Sequence, residues 1–208
     1  MPNFLLRRQQ LKGFRPSLTS RYLNEIYGGG NTVGFKLMYS QVRRFPEIVP
    51  YLLKHRIAVI HLIRANILNS VLSGEVARDW GQFHFKEGDA IPDEKPMWVD
   101  PGYLVRAIRS IETRIRWAKR LLGLLGLPQI EIYYEDLQSD VRNFAPIWDF
   151  LGVDFRVNPP VWQFRKSRRK SPEEIITNFH EVQAALVEAG YQRFWFNDLT
   201  QTGPESVQ

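Results

Sequence analysis

The sequence has no cysteine. Disulfides, thiolate nucleophiles and zinc–cysteine sites are excluded, and a reducing compartment is permitted without being proven. Long apolar runs are also missing, none approaching the ~20 residues a bilayer span needs. The first ten residues, MPNFLLRRQQ, turn basic too soon for a secretory signal. No internal repeat or low-complexity segment occurs. There is no interleaved aromatic–basic pattern, zinc finger or basic zipper, so no motif supports a nucleic-acid partner. Acids are scarce in the first quarter: residues 1–56 carry ten Lys/Arg against two Asp/Glu. Residues 57–100 reverse this, with four against seven, and the remainder is close to balance. The net charge of +6 is thus concentrated near one end, which suggests an anionic partner. A solvated basic face is the plain alternative.

What is present suits one globular domain. A chain of 208 residues, 44% hydrophobic and 24% charged, can bury roughly 70% of its unfolded surface. We expect a single domain over 1–208, with 1–16 and 200–208 loosely ordered, and a cytoplasmic location. Ser17 or Thr19 can cap a helix that the run Gly28-Gly29-Gly30 ends. Those glycines lack the GxxxxGK[ST] frame and follow a helix, so they read as a stop signal rather than a phosphate loop. Residues 32–38 (TVGFKLM) read as a strand and 41–54 as a helix broken or begun again at Pro46.

The most informative stretch is VIHLIRANILNSVLS, residues 59–73. Its first five residues, apolar but for His61 and rich in β-branched side chains, have the pattern of a strand buried on both faces. Arg64 follows, then Ile67, Leu68 and Val71 at helical spacing. A strand, an arginine and a helix carrying Ser70 and Ser73 make an anion site, with helix N–H groups, a forked guanidinium and hydroxyls as donors.

Residues 79–100 are irregular, with a short strand or hairpin expected over 82–86, and read as a substrate lid. Within it His84 is the one histidine placed to act as a general base, although it reads better as a satisfied surface or hinge histidine. His61, on the apolar strand, reads as a hydrogen-bonded core residue. Asp100 and Pro101 open the strongest helix, with Leu104, Ile108, Ile111, Ile115, Ala118 and Leu122 inward. Arg106, Arg109, Arg116 and Arg120 fall outside that stripe and read as a solvated face. Residues 129–134 (QIEIYY) form a strand, 141–151 a short helix, and Ser171 with Glu174 the capped start of a helix to about Ala189. Strands alternating with helices predict an α/β fold with a parallel sheet covered on both faces.

Four ordered pieces carry a resemblance: VGFKLMYSQ (33–41), VIHLIRANILNSVLS (59–73), IYYEDLQSD with WDFLGV (132–140, 148–153), and IITNFHEVQAAL (175–186). In this order and spacing they resemble the 3′-phosphoadenosine 5′-phosphosulfate (PAPS) sulfotransferases, of the bacterial type that act on small molecules and glycolipids. The resemblance implies a three-layer, mostly parallel sheet flanked by helices, the P-loop-NTPase-like sulfotransferase fold. It implies sulfuryl transfer from PAPS, as co-substrate, to a hydroxyl of a small-molecule, glycan or lipid acceptor. No nucleic acid, metal or transmembrane segment is expected, and a homo-oligomer is compatible with it.

By the same resemblance Arg64 and Ser73 hold the cofactor's 3′-phosphate, with Ser70 able to share the task. Tyr134 borders the adenine, and Lys166, Arg168 and Arg169 belong to a basic loop closing over the phosphates. An ion pair for Arg64 and a plain charged loop over 165–170 are the alternatives. Glu135 and Asp136 read as caps of the turn after their strand. Lys36 sits in the family's GFK segment, mid-strand, where a lysine is expected to reach a cavity. The family's N-terminal loop of type PRSGTT, which holds the 5′-phosphosulfate, has no counterpart between Met1 and Thr32. A truncated or wrongly placed start, a degenerate cofactor-binding relative and a helical replacement all fit. The alternative function is therefore an impaired sulfotransferase-like module that binds nucleotide, or another anion, without turnover.

Overall fold

Proline and asparagine punctuate the chain at the points where its helices begin and break. The computed structural model describes residues 16–29, 33–82, 85–86, 89–90, 92–154, 164–165 and 170–196. Among them the chain is mostly helical α/β, and the strands pair as two separate two-stranded sheets, one parallel and one antiparallel. It divides into two compact units, each with its own apolar cluster.

The first unit contains residues up to Ile60 together with Arg116–Ile130. Helix α1 (Pro16–Tyr27) carries Pro16 in its first turn, where a missing N–H costs nothing. Thr19 lies inside α1, buried, and does not cap it; its Oγ1 donates to Glu47 Oε1 at 3.1 Å. Tyr51 Oη donates to Asn24 Oδ1 at 2.7 Å, so α1 is bound at two points to α3 (Ile48–Lys54) and the turn before it. Pro46 separates α3 from α2 (Tyr39–Arg44), as a proline without an N–H should. The strand expected over 32–38 does not form among the described residues: 33–38 run irregularly, without ladder partners. Lys36 is exposed there rather than set mid-strand. Phe45, Ile48, Leu52 and Leu127 make the core of this unit. Arg56, in the turn after α3, has φ +45°, a left-handed conformation normally taken by glycine.

Strand β1 (Val59–Ile63) pairs with β3 (Gln129–Tyr133). It is buried on one face, not two. His61 and Ile63 are buried, whereas Ile60 is 39% and Leu62 49% exposed. Among the described residues a single neighbouring strand and cover on one side leave the alternate side chains outward.

The second unit contains His61–Ile115 and the residues from Glu131 onward. Asn66 caps helix α4 (Ile67–Asp79): its Oδ1 accepts the Asn69 N–H at 3.0 Å, while its Nδ2 donates to the Phe194 carbonyl at 3.1 Å. The cap is buried, and both ends of its amide are used. Helix α5 (Pro101–Leu125) starts where Asp100 Oδ1 accepts the Gly102 N–H at 2.8 Å. Its inward residues Leu104 and Ile108 meet Leu68, Leu72 and Val76 of α4 in the main core.

Helices α6 (Tyr134–Ser139) and α7 (Ala145–Leu151) follow β3, joined by a 3₁₀ turn (Val141–Phe144). Gly152 closes α7 at φ +64°, where a Cβ would be strained. Short strands β2 (Phe85–Lys86) and β4 (Phe164–Arg165) pair antiparallel. The single helix expected from Ser171 is instead two, α8 (Pro172–Ile175) and α9 (Phe179–Glu188), ahead of α10 (Arg193–Phe196). The break has a cause. Ile176 is extended and bridges Met97, and Asn178 both accepts from the Val99 N–H and donates to its carbonyl, at 3.0 and 2.9 Å.

Candidate functional site

In α/β folds ligands gather beyond the carboxyl ends of parallel strands. The chain leaves β1 through Arg64-Ala65-Asn66 and leaves β3 directly into α6 at Tyr134. These two exits meet. The Arg64 guanidinium carbon lies 3.5 Å from the centre of the Tyr134 ring, a stacked cation–π contact. Among the described residues Arg64 has no carboxylate partner, so the ion-pair alternative finds no support there, and its side chain is exposed. A guanidinium lying face-on to a ring keeps its N–H edge available for a bidentate oxyanion.

Glu135 has an unexpected place. Its carboxylate accepts the Ala65 N–H at 2.9 Å and the Asn66 N–H at 3.3 Å. It therefore caps the turn after β1, some seventy residues back in the chain, rather than the turn after its own strand. Asp136 is exposed, and its carbonyl, not its carboxylate, receives Ser139 Oγ and Asn143 Nδ2. With Asn69 N–H held by Asn66 and Ser70 N–H donating to the Asn66 carbonyl, four amides of this turn and first helical turn are occupied. Four of the N–H groups expected to serve an anion are thus committed within the protein.

Ser70 and Ser73 lie half-buried on α4. Among the described residues neither shares a hydrogen bond with Arg64 or Tyr134. Tyr134 Oη accepts from Gln138 Nε2, one turn along α6, which fixes the ring. One face of that ring is covered by Arg64, so an adenine would use the opposite face or displace the guanidinium. The residues fit a 3′-phosphate in part: an exposed forked cation is present, and the Ala65 and Asn66 N–H groups beside it are taken by Glu135.

No protein-family model, characterised protein or solved structure matches this chain. His84, Lys166, Arg168 and Arg169 lie outside the described residues. The last member of their basic run, Lys170, is described and engaged. Its N–H donates to the buried Glu94 carboxylate at 3.3 Å, and its Nζ reaches Asp93 Oδ1 at 3.3 Å and the Glu94 carbonyl at 2.8 Å. His61 is buried, with Nδ1 3.7 Å from Glu131 Oε2. Below α6, the Arg142 side chain and its backbone N–H hold the Asp140 carboxyl beneath its ordinary value. No group of three or more His, Asp or Glu side chains suited to a metal occurs among the described residues. Glu135 and Glu94 are the residues that sequence reasoning missed or misplaced. Both act across some seventy residues, so no local pattern announces them.

Proposed function

We propose that this chain is a PAPS-dependent sulfotransferase domain, with the end of the β1–β3 pair as its 3′-phosphate subsite. One observation carries the reading: Arg64 and Tyr134, from two strand exits far apart in sequence, are stacked together at the carboxyl ends of adjacent strands. On this reading the two strands belong to a three-layer sulfotransferase sheet. The Arg64 fork grips the 3′-phosphate, Ser70 or Ser73 adds a hydroxyl, Tyr134 borders the adenine, and Lys166, Arg168 and Arg169 cover the phosphates. An acceptor hydroxyl attacks sulfur in line. The new S–O bond forms as the bond from sulfur to the bridging phosphate oxygen breaks. The hydroxyl proton leaves to a base, and adenosine 3′,5′-bisphosphate departs.

Calorimetric titration with adenosine 3′,5′-bisphosphate tests the subsite. The expected result is binding at micromolar ligand or below, weakened roughly 10- to 100-fold by Arg64→Ala, the worth of a charge-assisted hydrogen bond. Arg64→Lys should fall between, since it keeps the charge and loses both fork and stacking. No binding at millimolar ligand overturns the reading, and so does binding that Arg64→Ala leaves unchanged. Sulfuryl transfer from labelled PAPS to a hydroxylated acceptor then separates the enzyme from a module that binds without turnover.

A further inference from the structure

The C-terminal turns of α5 carry a second apolar ridge that the core does not use. Trp117, Leu121 and Leu124 stand at i, i+4 and i+7, within about 60° of one another around the helix. Trp117 is 44% exposed and Leu124 86%, while Leu121 is half-buried. Trp117 and Leu124 each precede an inward neighbour, Ala118 and Leu125, the latter packed on the cluster of Phe45, Ile48, Leu52 and Leu127. The ridge therefore points about 100° away from the residues that hold the helix in place. Arg116 and Arg120 are exposed on the adjoining arc, and Lys119 is exposed beyond them.

The charge here is one-sided. From 113 to 130 the sequence has four Lys/Arg and not one Asp or Glu. We propose that this ridge docks the protein on an anionic lipid bilayer, with Trp117 and Leu124 in the headgroup boundary and Arg116 and Arg120 on the lipid phosphates. Tryptophan and leucine bordered by arginine, on a helix with a separate polar arc, is the make-up of an in-plane interfacial helix. Among the described residues no helix is long and apolar enough to cross a membrane, so α5 lies on the surface rather than through it. An acidic protein would match the charge too. A stable protein interface, however, needs ~800 Å² on each side, and two exposed large apolar side chains do not supply that. The proposal goes beyond the nucleotide reading and does not depend on it.

Flotation of the full chain with vesicles of phosphatidylcholine, with and without phosphatidylglycerol, tests it. The chain should float with the anionic vesicles only and lose that association as salt rises. Arg116→Gln with Arg120→Gln should weaken partitioning roughly 25-fold, about fivefold for each cation. Trp117→Ser with Leu124→Ser should abolish flotation while leaving the circular dichroism unchanged, both side chains being exposed. In Trp117→Phe, quenching of tryptophan emission by brominated lipid should drop sharply. The proposal is overturned if the chain ignores anionic vesicles, or if the double variants bind like the parent. It is equally overturned if Leu124→Ser dissociates a dimer in light scattering, for the ridge would then be an interface between copies.

Discussion

Glu135 ties the exits of β1 and β3 together, and replacing it is the most direct test of that geometry. Its carboxylate receives two backbone N–H groups, at 2.9 and 3.3 Å, in a half-buried setting. A hydrogen bond to a charged group contributes ~1.5–3 kcal/mol net, and the longer contact and partial exposure place the pair near the lower end. Glu135→Ala should therefore destabilise its unit by about 2 kcal/mol, or about 4–8 °C in Tm for a chain of this size. Glu135→Gln keeps one acceptor oxygen but turns an NH₂ toward the second amide, so it should fall between parent and alanine. Urea unfolding gives the energy, and nitrogen–proton NMR gives the site. The Ala65 and Asn66 amides should move upfield and exchange faster in Glu135→Ala, while amides of α9 stay put. The variant also opens two donors to solvent beside Arg64, so inorganic phosphate should raise its midpoint more than it raises the parent's. Both variants falling within ~0.5 kcal/mol of the parent, with the two amides unmoved, would refute the reasoning.

Three further outcomes follow from local geometry. Arg56→Gly should stabilise by roughly 0.5–1 kcal/mol, because the left-handed φ of +45° strains any residue with a Cβ; chemical denaturation reads the sign. Leu104→Ala should cost about 2–5 kcal/mol, since the side chain is fully buried between α4 and the C-terminal helices, and a calorimetric Tm measures it. Asp140 is held below its ordinary pKa by Arg142, and Glu174 by the Ser171 N–H and hydroxyl, so both carboxylates are bound better in the folded chain. Their contribution is present at neutral pH and is lost as pH falls below about 4, through the depressed values. Carboxyl-carbon NMR titration should show both midpoints below those of exposed acids.

The local elements were legible because their causes are local. A β-branched run ahead of Asn66, and Asp100 with Pro101 ahead of the Leu104–Ile108 stripe, announce β1, α4 and α5 within a few residues of sequence. Pro46 marks the α2–α3 break in the same way. Failures arose where a distant partner decides. Ile60 and Leu62 read as core, yet among the described residues β1 has one neighbouring strand and one covered face. Residues 33–38 alternate like a strand and find no ladder among the described residues. The helix from Ser171 looks continuous until Met97 and Val99 draw Ile176 and Asn178 out of it. At the site, the polar signals at 64 and 134 were readable, and their stacking was not. Glu135 reads in sequence as a cap of its own turn but caps the turn after β1, since nothing near it in sequence names Ala65 and Asn66.

The seam that breaks α8 from α9 also bears on the order of assembly. Met97 with Ile176, Val99 with Asn178, and Glu94 with Lys170 each join residues 76 to 79 positions apart. Closing so long a loop costs chain entropy before any of these contacts is gained, whereas β1, its turn and α4 form from neighbours. The seam should therefore be a late event in folding, made only after α5 has bridged the gap. During synthesis Met97 and Val99 must wait, with unmet backbone groups, until nearly eighty further residues have been made.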